Sequence, residues 1–148
     1  MTDAFEQLGA LAREKLPPSE PWQVLVMAQV QGGEEVIIGA RRDPSFGPVI
    51  AFGAGGIWTE VLEDISLRVA PISAAQARGQ ILETKIGQIL KGLRGRPPAD
   101  LEALSRALST LAHLMLQFPQ IQEVDLNPVR TFPGQPGLLT LDARVRVE

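Results

Sequence analysis

The sequence contains no cysteine and a single histidine among its 148 residues. The absence of cysteine excludes disulfides, zinc–thiolate sites and thiol nucleophiles. The histidine, His113, falls within a predicted helix and away from its apolar stripe, and no serine or carboxylate stands at a spacing that would complete a catalytic triad. Nucleophilic catalysis assisted by a histidine is therefore not predicted.

Long apolar runs and an excess of one charge are also missing. No stretch approaches the roughly 20 apolar residues of a membrane span, and the N-terminus lacks the basic start and apolar run of a secretory signal. The formal net charge is −3, with Lys and Arg dispersed along the chain, which gives no reason to expect DNA or RNA as a partner. We expect a cytoplasmic protein without membrane or nucleic-acid partners.

Hydrophobic residues make up 45% of the chain, enough for one globular domain or for two small lobes sharing a core. Apolar spacing predicts helices over residues 5–12, 74–83 and 86–90, and most clearly over residues 100–118. Strands are predicted over residues 24–30, 34–42, 48–52 and 66–70. The first of these is apolar on both faces, as in a core strand, and the short links between the first three favour an antiparallel meander. The predicted class is α+β, a mainly antiparallel sheet covered by helices.

The most informative segment is a predicted hairpin near the C-terminus. Period-two alternation places Asp125 and Asn127 on one face of its first strand, together with Glu123. If the Pro/Gly-rich turn is symmetric about Gly134 and Gln135, the residue opposite Asn127 is Asp142. The residues expected on the buried face of the second strand are Leu139, Leu141, Ala143, Val145 and Val147.

Directly opposed residues in an antiparallel pair lie close enough to share one ion. An amide carbonyl and nearby carboxylates are hard oxygen donors suited to Mg²⁺ or Mn²⁺. Because Mg²⁺ usually takes only one or two protein carboxylates and completes its shell with water and substrate phosphates, the pattern indicates a phosphate-bound metal. An ordinary solvated hairpin face is the alternative.

A glycine cluster follows the predicted strand over residues 48–52. It is not a dinucleotide-binding fingerprint, because the third glycine of that motif would fall on Trp58, and no Gly-Lys-Ser/Thr follows as in a P-loop. Such a cluster can turn backbone N–H groups toward an anion. A tight turn is the alternative that the pattern favours.

Three segments taken together resemble one family. They are residues 31–39, residues 42–49 with 52–56, and residues 123–128 with 141–144. In this order they resemble the ATP-grasp domain of NDP-forming acyl-CoA synthetases, which include ADP-forming acetyl-CoA synthetase and, more distantly, the β subunit of succinyl-CoA synthetase. The resemblance extends over nearly the whole chain and implies an ATP-grasp C-terminal lobe.

The resemblance also implies a function. Such a lobe binds ATP or ADP with Mg²⁺ or Mn²⁺ in enzymes that interconvert acyl-CoA, ADP and phosphate with the free acid, CoA and ATP. It implies that Asn127 and Asp142 are metal ligands, with Asp125 supporting them or sharing a second ion. The remaining positions that it implies, near the nucleotide phosphates, the lobe core or the glycine loop, are Glu35, Arg42, Gly53, Gly55, Gly56 and Glu60.

Parts of the family pattern have no counterpart in this sequence. We expect residues 1–148 to form a single domain equivalent to the second lobe, without the first ATP-grasp lobe, the phosphohistidine segment or the CoA-binding domain. These are expected as partners, in the same polypeptide or in another subunit, and the isolated chain is expected to be inactive. The alternative is a non-catalytic nucleotide-binding or protein-interaction and assembly domain derived from the same family.

Overall fold

The computed structural model describes residues 2–56, 64–93 and 95–148. It divides into two compact units, Met1–Gln31 and Gly32–Glu148. The helices are α1 (Thr2–Lys15), α2 (Ala74–Glu83), α3 (Lys85–Leu90) and α4 (Leu101–Gln117). The strands are β1 (Glu34–Asp43), β2 (Gly47–Ala54), β3 (Ile65–Val69), β4 (Ile121–Thr131), β5 (Leu138–Thr140) and β6 (Ala143–Val147).

The first unit contains α1 and an extended segment. The predicted opening helix is confirmed, and the Phe5 and Trp22 rings lie within it with centroids 6.3 Å apart. The core strand predicted over residues 24–30 is wrong, because these residues form no strand and the Leu25 side chain is 79% exposed. The physical reason is that a core strand lies between two other strands. The inner positions of this sheet are occupied by β2, β1 and β4.

The second unit is built on one antiparallel sheet with the order β3-β2-β1-β4, and β4 pairs on its far side with β5 and β6. Alternation in β1 buries Val36, Ile38 and Ala40 on one face. The helices α2, α3 and α4 pack on this face, over the strands β1 to β3. The opposite face, hereafter the open face, carries Glu35, Ile37, Gly39 and Arg41 of β1 with their partners on the neighbouring strands. The predicted α+β class is confirmed.

The helices form where apolar spacing and capping residues agree. Asp100 caps α4 by accepting a hydrogen bond from the Ala103 N–H at 2.8 Å, and Ser73 begins α2 with a reciprocal capping box. The buried stripe of α4 contains Leu101, Leu104, Leu108, Leu111 and Met115. His113 is exposed, as expected from its position on the helix. In the described ranges no helix is both long and apolar enough to cross a lipid bilayer.

A β-bulge interrupts the pairing of β1 with β4. Val36 pairs with Val129 but Ile38 pairs with Leu126, so Asn127 and Pro128 together oppose Ile37. The bulge reverses the alternation of faces along β4 and the strands beside it. The uniform buried face predicted for residues 139–147 is therefore wrong at Leu139, which lies opposite Arg130 on the open face. Every residue of β6 is exposed, because the helices pack over β1 to β3.

Candidate functional site

The hairpin register places Asn127 opposite Asp142. Flanking pairs are Leu126 with Ala143 and Val129 with Thr140. Between them the Asn127 N–H donates to the Asp142 carbonyl oxygen at 3.2 Å, and the Leu141 N–H donates to the Pro128 carbonyl oxygen at 3.0 Å. This is the register expected from a turn centred on Gly134 and Gln135.

Asn127 and Asp142 are both exposed at the bulge, and the Asn127–Pro128 peptide bond is cis. One Asp142 carboxylate oxygen, Oδ1, accepts the Ala143 N–H at 2.8 Å, which fixes this carboxylate beside its own strand. Asp125 lies two residues before Asn127, on the open face, paired with Gly39 on one side and Arg144 on the other. The structure thus brings the three predicted metal ligands to one stretch of the hairpin.

The donor set is poor in carboxylates. Within residues 2–56, 64–93 and 95–148, no three His, Cys, Asp or Glu side chains lie close enough together to hold a metal ion. A site made by Asn127 and Asp142 with Asp125 has an amide oxygen in place of a third carboxylate. This set fits Mg²⁺ or Mn²⁺ bound through few protein ligands and completed by water or phosphate oxygens, and it does not fit a dedicated all-protein cage.

Glu35 forms an ion pair with Arg130 across the β1–β4 pairing. Glu35 Oε1 accepts from Arg130 Nε at 3.1 Å and from Nη2 at 2.5 Å. Arg130 Nη1 donates to the Gly32 carbonyl oxygen at 2.6 Å. Both side chains are only partly exposed, so the pair is held in one geometry at the start of β1.

The glycine cluster packs directly against Glu35. The Gly55 N–H donates to the Glu35 carbonyl oxygen at 2.9 Å, and the Ala54 N–H donates to the Asp64 carbonyl oxygen at 3.1 Å. A Cβ on Gly53 would lie 2.4 Å from the Asp64 carbonyl oxygen, and a Cβ on Gly56 would lie 2.3 Å from Glu35 Oε2. The backbone donors of residues 54 and 55 are thus used within the fold. We interpret Gly55 and Gly56 as permitting close packing against Glu35, and Gly53 as permitting close packing against Asp64, rather than as an anion cradle.

Asp64 is a site-supporting residue that the sequence reasoning missed. It is almost fully buried, and its two carboxylate oxygens accept the backbone N–H groups of Lys85 at 2.8 Å and Ile86 at 2.7 Å. These N–H groups belong to the first turn of α3, where the backbone donors have no acceptor within the helix. Asp64 therefore attaches the edge of the glycine segment to the helix layer.

Arg42 lies apart from the other predicted site residues. Its side chain is on the helix-covered side, where Nη2 donates to the Met115 carbonyl oxygen at 2.6 Å and Nε donates to the Ile121 carbonyl oxygen at 3.4 Å. These contacts close the C-terminal end of α4 and fix the start of β4. Of the two roles that the resemblance offered, phosphate contact or lobe core, the structure favours the second. Glu60 lies outside the described residues.

An apolar cleft of about 620 Å³ lies on the open face beside Asp125. Its lining includes the small residues Gly39 and Ala51 and the apolar side chains of Phe46, Leu67 and Val69. Phe46 is 69% exposed, and its turn is fixed by Asp43, whose Oδ1 accepts the N–H groups of Ser45 and Phe46 at 2.8 and 3.0 Å. The open face is thus apolar toward β3 and polar toward β6.

Comparison with known proteins assigns the fold to a family. A family model described as an ATP-grasp domain matches residues 1–147. This chain belongs to the ATP-grasp family. The resemblance seen in the sequence is therefore confirmed. Individual relatives identify a group of enzymes within the family to which the chain is similar.

Two relatives are ADP-forming ligases. The chain is 42% identical over 142 residues to acetate–CoA ligase [ADP-forming] I of Archaeoglobus fulgidus, covering 96% of this chain and 20% of that protein. It is 40% identical over 143 residues to acetate–CoA ligase [ADP-forming] I subunit beta of Pyrococcus furiosus, covering 97% of this chain and 61% of that subunit. The ATP-grasp chain therefore spans about a fifth of one relative and about three fifths of the other.

A solved structure is similar to this chain in fold as well as in sequence. It is the dinucleotide forming acetyl-coenzyme A synthetase 1 of Ca. Korarchaeum cryptofilum, in complex with coenzyme A, Ca-AMPCP and HgCl⁺. Its TM-score is 0.83 at 37% identity, covering 99% of this chain and 63% of that chain. The same synthetase has been solved with coenzyme A and Mg-AMPPCP. The ATP-grasp chain thus has the fold of a domain from ADP-forming acyl-CoA synthetases.

Proposed function

We propose that this chain supplies the divalent-metal and nucleotide-phosphate contacts of an ADP-forming acyl-CoA synthetase, with Asn127 and Asp142 as metal ligands and Asp125 in support. The observation that carries the proposal is the hairpin register, in which the Asn127 N–H bonds the Asp142 carbonyl oxygen at 3.2 Å. Asn127 lies in β4 and Asp142 lies in the short break between β5 and β6, so both residues are carried on paired backbone and not on free loops.

The chemistry of the donors supports a phosphate-bound Mg²⁺ or Mn²⁺. A metal ion held by Asn127 and Asp142 would supply positive charge that neutralises the phosphates of ATP or ADP during phosphoryl transfer. The protein's own part is to hold Asn127 and Asp142 at a fixed separation and to keep their oxygens exposed. Asp125 adds a second negative charge, moderated by Arg144 directly opposite it.

The Glu35–Arg130 pair has a supporting place in this proposal. Its rigid geometry holds the start of β1 against the glycine segment that packs on Glu35. Arg130 lies on the open face three residues from Asn127, and its charge is balanced there by Glu35.

The remaining parts of the reaction are assigned to other polypeptide segments. The first ATP-grasp lobe, the phosphohistidine segment and the CoA-binding domain are proposed as partners in cis or in trans, and the chain alone is proposed to be inactive. This fits the partial coverage of the relatives, one of which is named as a beta subunit.

The test is Mn²⁺ affinity, measured by the electron paramagnetic resonance signal of free Mn²⁺ with and without ADP. Asn127→Ala and Asp142→Ala are compared with the wild type. Loss of a ligand from a site with so few protein donors is expected to weaken Mn²⁺ binding by about tenfold or more, by analogy with the 10–100-fold losses seen even for groups supporting a ligand. Circular dichroism should be unchanged, because both side chains are exposed.

Glu123→Gln is the matched control, since it removes a carboxylate from β4, the strand that carries Asn127. The Glu123 carboxylate is not a proposed ligand and pairs with Arg146 at 3.5 Å. This variant should bind Mn²⁺ like the wild type. Equal affinity in the wild type, Asn127→Ala and Asp142→Ala would overturn the assignment and favour the non-catalytic interaction domain.

A further inference from the structure

The turn of the metal-bearing hairpin is fastened to the segment that precedes α4. The Gly134 N–H donates to the Pro98 carbonyl oxygen at 2.8 Å. The Gly137 N–H donates to Asp100 Oδ2 at 2.7 Å, and the other carboxylate oxygen, Oδ1, caps α4 through the Ala103 N–H. One carboxylate thus joins the first turn of a helix to the end of a hairpin turn 37 residues away.

Within the turn, the Gln135 N–H donates to the Phe132 carbonyl oxygen at 3.0 Å. Gly134 and Gly137 both have positive φ, at 75° and 87°. A Cβ on Gly134 would lie 3.1 Å from Pro97 Cγ. The turn therefore rests on a proline-stiffened support and is not free in solution.

The strands below the turn do little to set their own register. Register is strongly specified where one face of a strand is buried, and a slip of one residue exchanges the two faces. β5 has only three residues, and all five residues of β6 are exposed. A slip here would cost little burial, although it would move Asp142 away from Asn127.

From these contacts we infer that Asp100 is a positioning residue for the metal site. By accepting the Gly137 N–H, Asp100 holds the turn in place. The turn then holds the register in which Asp142 lies opposite Asn127. The inference rests on the proposed function for the role of Asn127 and Asp142. Hydrogen bonds from Gly137 and Ala103 lower the pKa of Asp100 below its ordinary value, as expected of a carboxylate held ionised by both contacts.

The experiment must separate the tie to Gly137 from the helix cap. Asp100→Asn and Asp100→Ser both keep a favoured N-cap residue, but in Asn the amide nitrogen faces the Gly137 N–H, and Ser has no second oxygen to reach it. Asp100→Ala removes both functions. Glu102→Gln is the control, because it removes one negative charge from the same helix turn, and that carboxylate accepts from Arg106 Nη1 at 3.3 Å within α4.

The first readout is amide hydrogen exchange of Asn127 and Leu141, whose N–H groups bond across the hairpin at the metal site. Exchange at both should become about tenfold faster in Asp100→Asn and Asp100→Ser, as expected for one lost hydrogen bond to a charged group. Exchange within α4 should change only in Asp100→Ala. Wild-type exchange at Asn127 and Leu141 in both cap-preserving variants would overturn the inference, whether or not metal binds.

The second readout is Mn²⁺ affinity of the full chain. It should fall by about threefold to tenfold in the two cap-preserving variants, less than for groups bonded directly to a metal ligand, and stay unchanged in Glu102→Gln. Unchanged affinity in those variants, in a chain whose binding depends on Asp142, would contradict the positioning role. Wild-type affinity that does not depend on Asp142 would instead overturn the proposed function.

Discussion

Single residues of this chain gain their importance from backbone conformation and from close neighbours. Gly56 is the clearest case, because its φ is +63° and the space beside it belongs to Glu35. A side chain there meets two obstacles, the left-handed backbone and the Glu35 carboxylate. Glu35 in turn is fixed by Arg130, so the carboxylate moves only if that pair rearranges.

We therefore expect Gly56→Ala to lower the free energy of unfolding by about 1–3 kcal/mol, the usual cost of a non-glycine residue in the left-handed region. Urea unfolding measures it. Gly79→Ala is the matched control, since Gly79 lies in α2 with no atom near its Cβ position. That substitution should stabilise the protein by roughly 0.5–1 kcal/mol. Equal effects of the two substitutions would show that Gly56 is not constrained as described.

Two carboxylates give the stability a pH dependence of known sign. The pKa of Asp100 is lowered by the Gly137 and Ala103 N–H groups, and the pKa of Glu83 is lowered by its hydrogen bond and ion pair with Arg68 and by the Ser66 hydroxyl. In both cases the unfolded chain takes up a proton at higher pH than the folded chain. The stabilisation is therefore complete above the unfolded pKa and is lost as pH falls through the folded pKa.

The loss of unfolding free energy between about pH 7 and about pH 3, which brackets the ordinary carboxyl pKa range, should be smaller in Asp100→Asn than in the wild type. Urea unfolding at both pH values gives the comparison. Glu102→Gln, whose carboxylate is largely exposed, should retain the wild-type loss. If Asp100→Asn lost as much stability as the wild type, the assigned hydrogen bonds would be absent.

At the scale of whole elements, α4 and β4 are joined by Arg42. Its guanidinium spans the end of the helix and the beginning of the strand through the carbonyl oxygens of Met115, Phe118 and Ile121. Because β4 carries Asp125 and Asn127, this junction sets where the strand with these two proposed metal-site residues enters the sheet.

Arg42→Met keeps much of the apolar stem and removes the donors. We expect it to lower the free energy of unfolding by about 1–2 kcal/mol, since the released carbonyl groups are near solvent and recover part of their hydration. Arg41→Met is the control, because Arg41 is the exposed residue next to Arg42 in β1. It should change the free energy of unfolding by less than about 0.5 kcal/mol. Similar destabilisation by both substitutions would contradict the role of Arg42.

The sequence was sufficient to predict the elements whose signals are local. The helices α2 and α4 follow from apolar spacing, and in the structure Ser73 and Asp100 cap them. The hairpin register followed from turn composition, and the bond between Asn127 and Asp142 confirms it. Both predictions depend only on residues near one another in the chain.

What the sequence did not predict depends on distant pairings. The apolar run over residues 24–30 has the composition of a core strand, but β4 takes the place beside β1. The bulge at Asn127 and Pro128 is visible only in the register between β1 and β4. The same register brings Arg130 to Glu35, 95 residues away, so no local signal could have identified that pair.

At the scale of the whole molecule, the hydrophobic core belongs to the second unit. The buried apolar side chains of the described residues all lie between Val36 and Val129. The first unit keeps its larger apolar side chains partly exposed, including Phe5, Leu8 and Leu11. Its contribution to the free energy of unfolding is therefore small.

A chain reduced to residues 32–148 should fold with the same cooperativity and unfold at a temperature within about 4 °C of the full chain, which corresponds to about 1 kcal/mol for a chain of this length. Circular dichroism during heating measures it. A chain reduced to residues 1–92, which lacks α4 and β4, is the contrasting control and should not unfold cooperatively. Loss of cooperative unfolding in residues 32–148 would show that the core extends into the first unit.

The central claim is that one exposed stretch of a hairpin holds the metal of this ATP-grasp domain. The most direct measurement is a Mn²⁺ titration of the ¹⁵N-labelled chain followed by NMR, in which paramagnetic broadening marks the residues nearest the ion. We expect the amide signals of Asn127, Asp142 and Ala143 to broaden first, and those signals to persist in Asp142→Ala at the same Mn²⁺ concentration. Broadening that begins elsewhere, or that is the same in Asp142→Ala, would contradict the account.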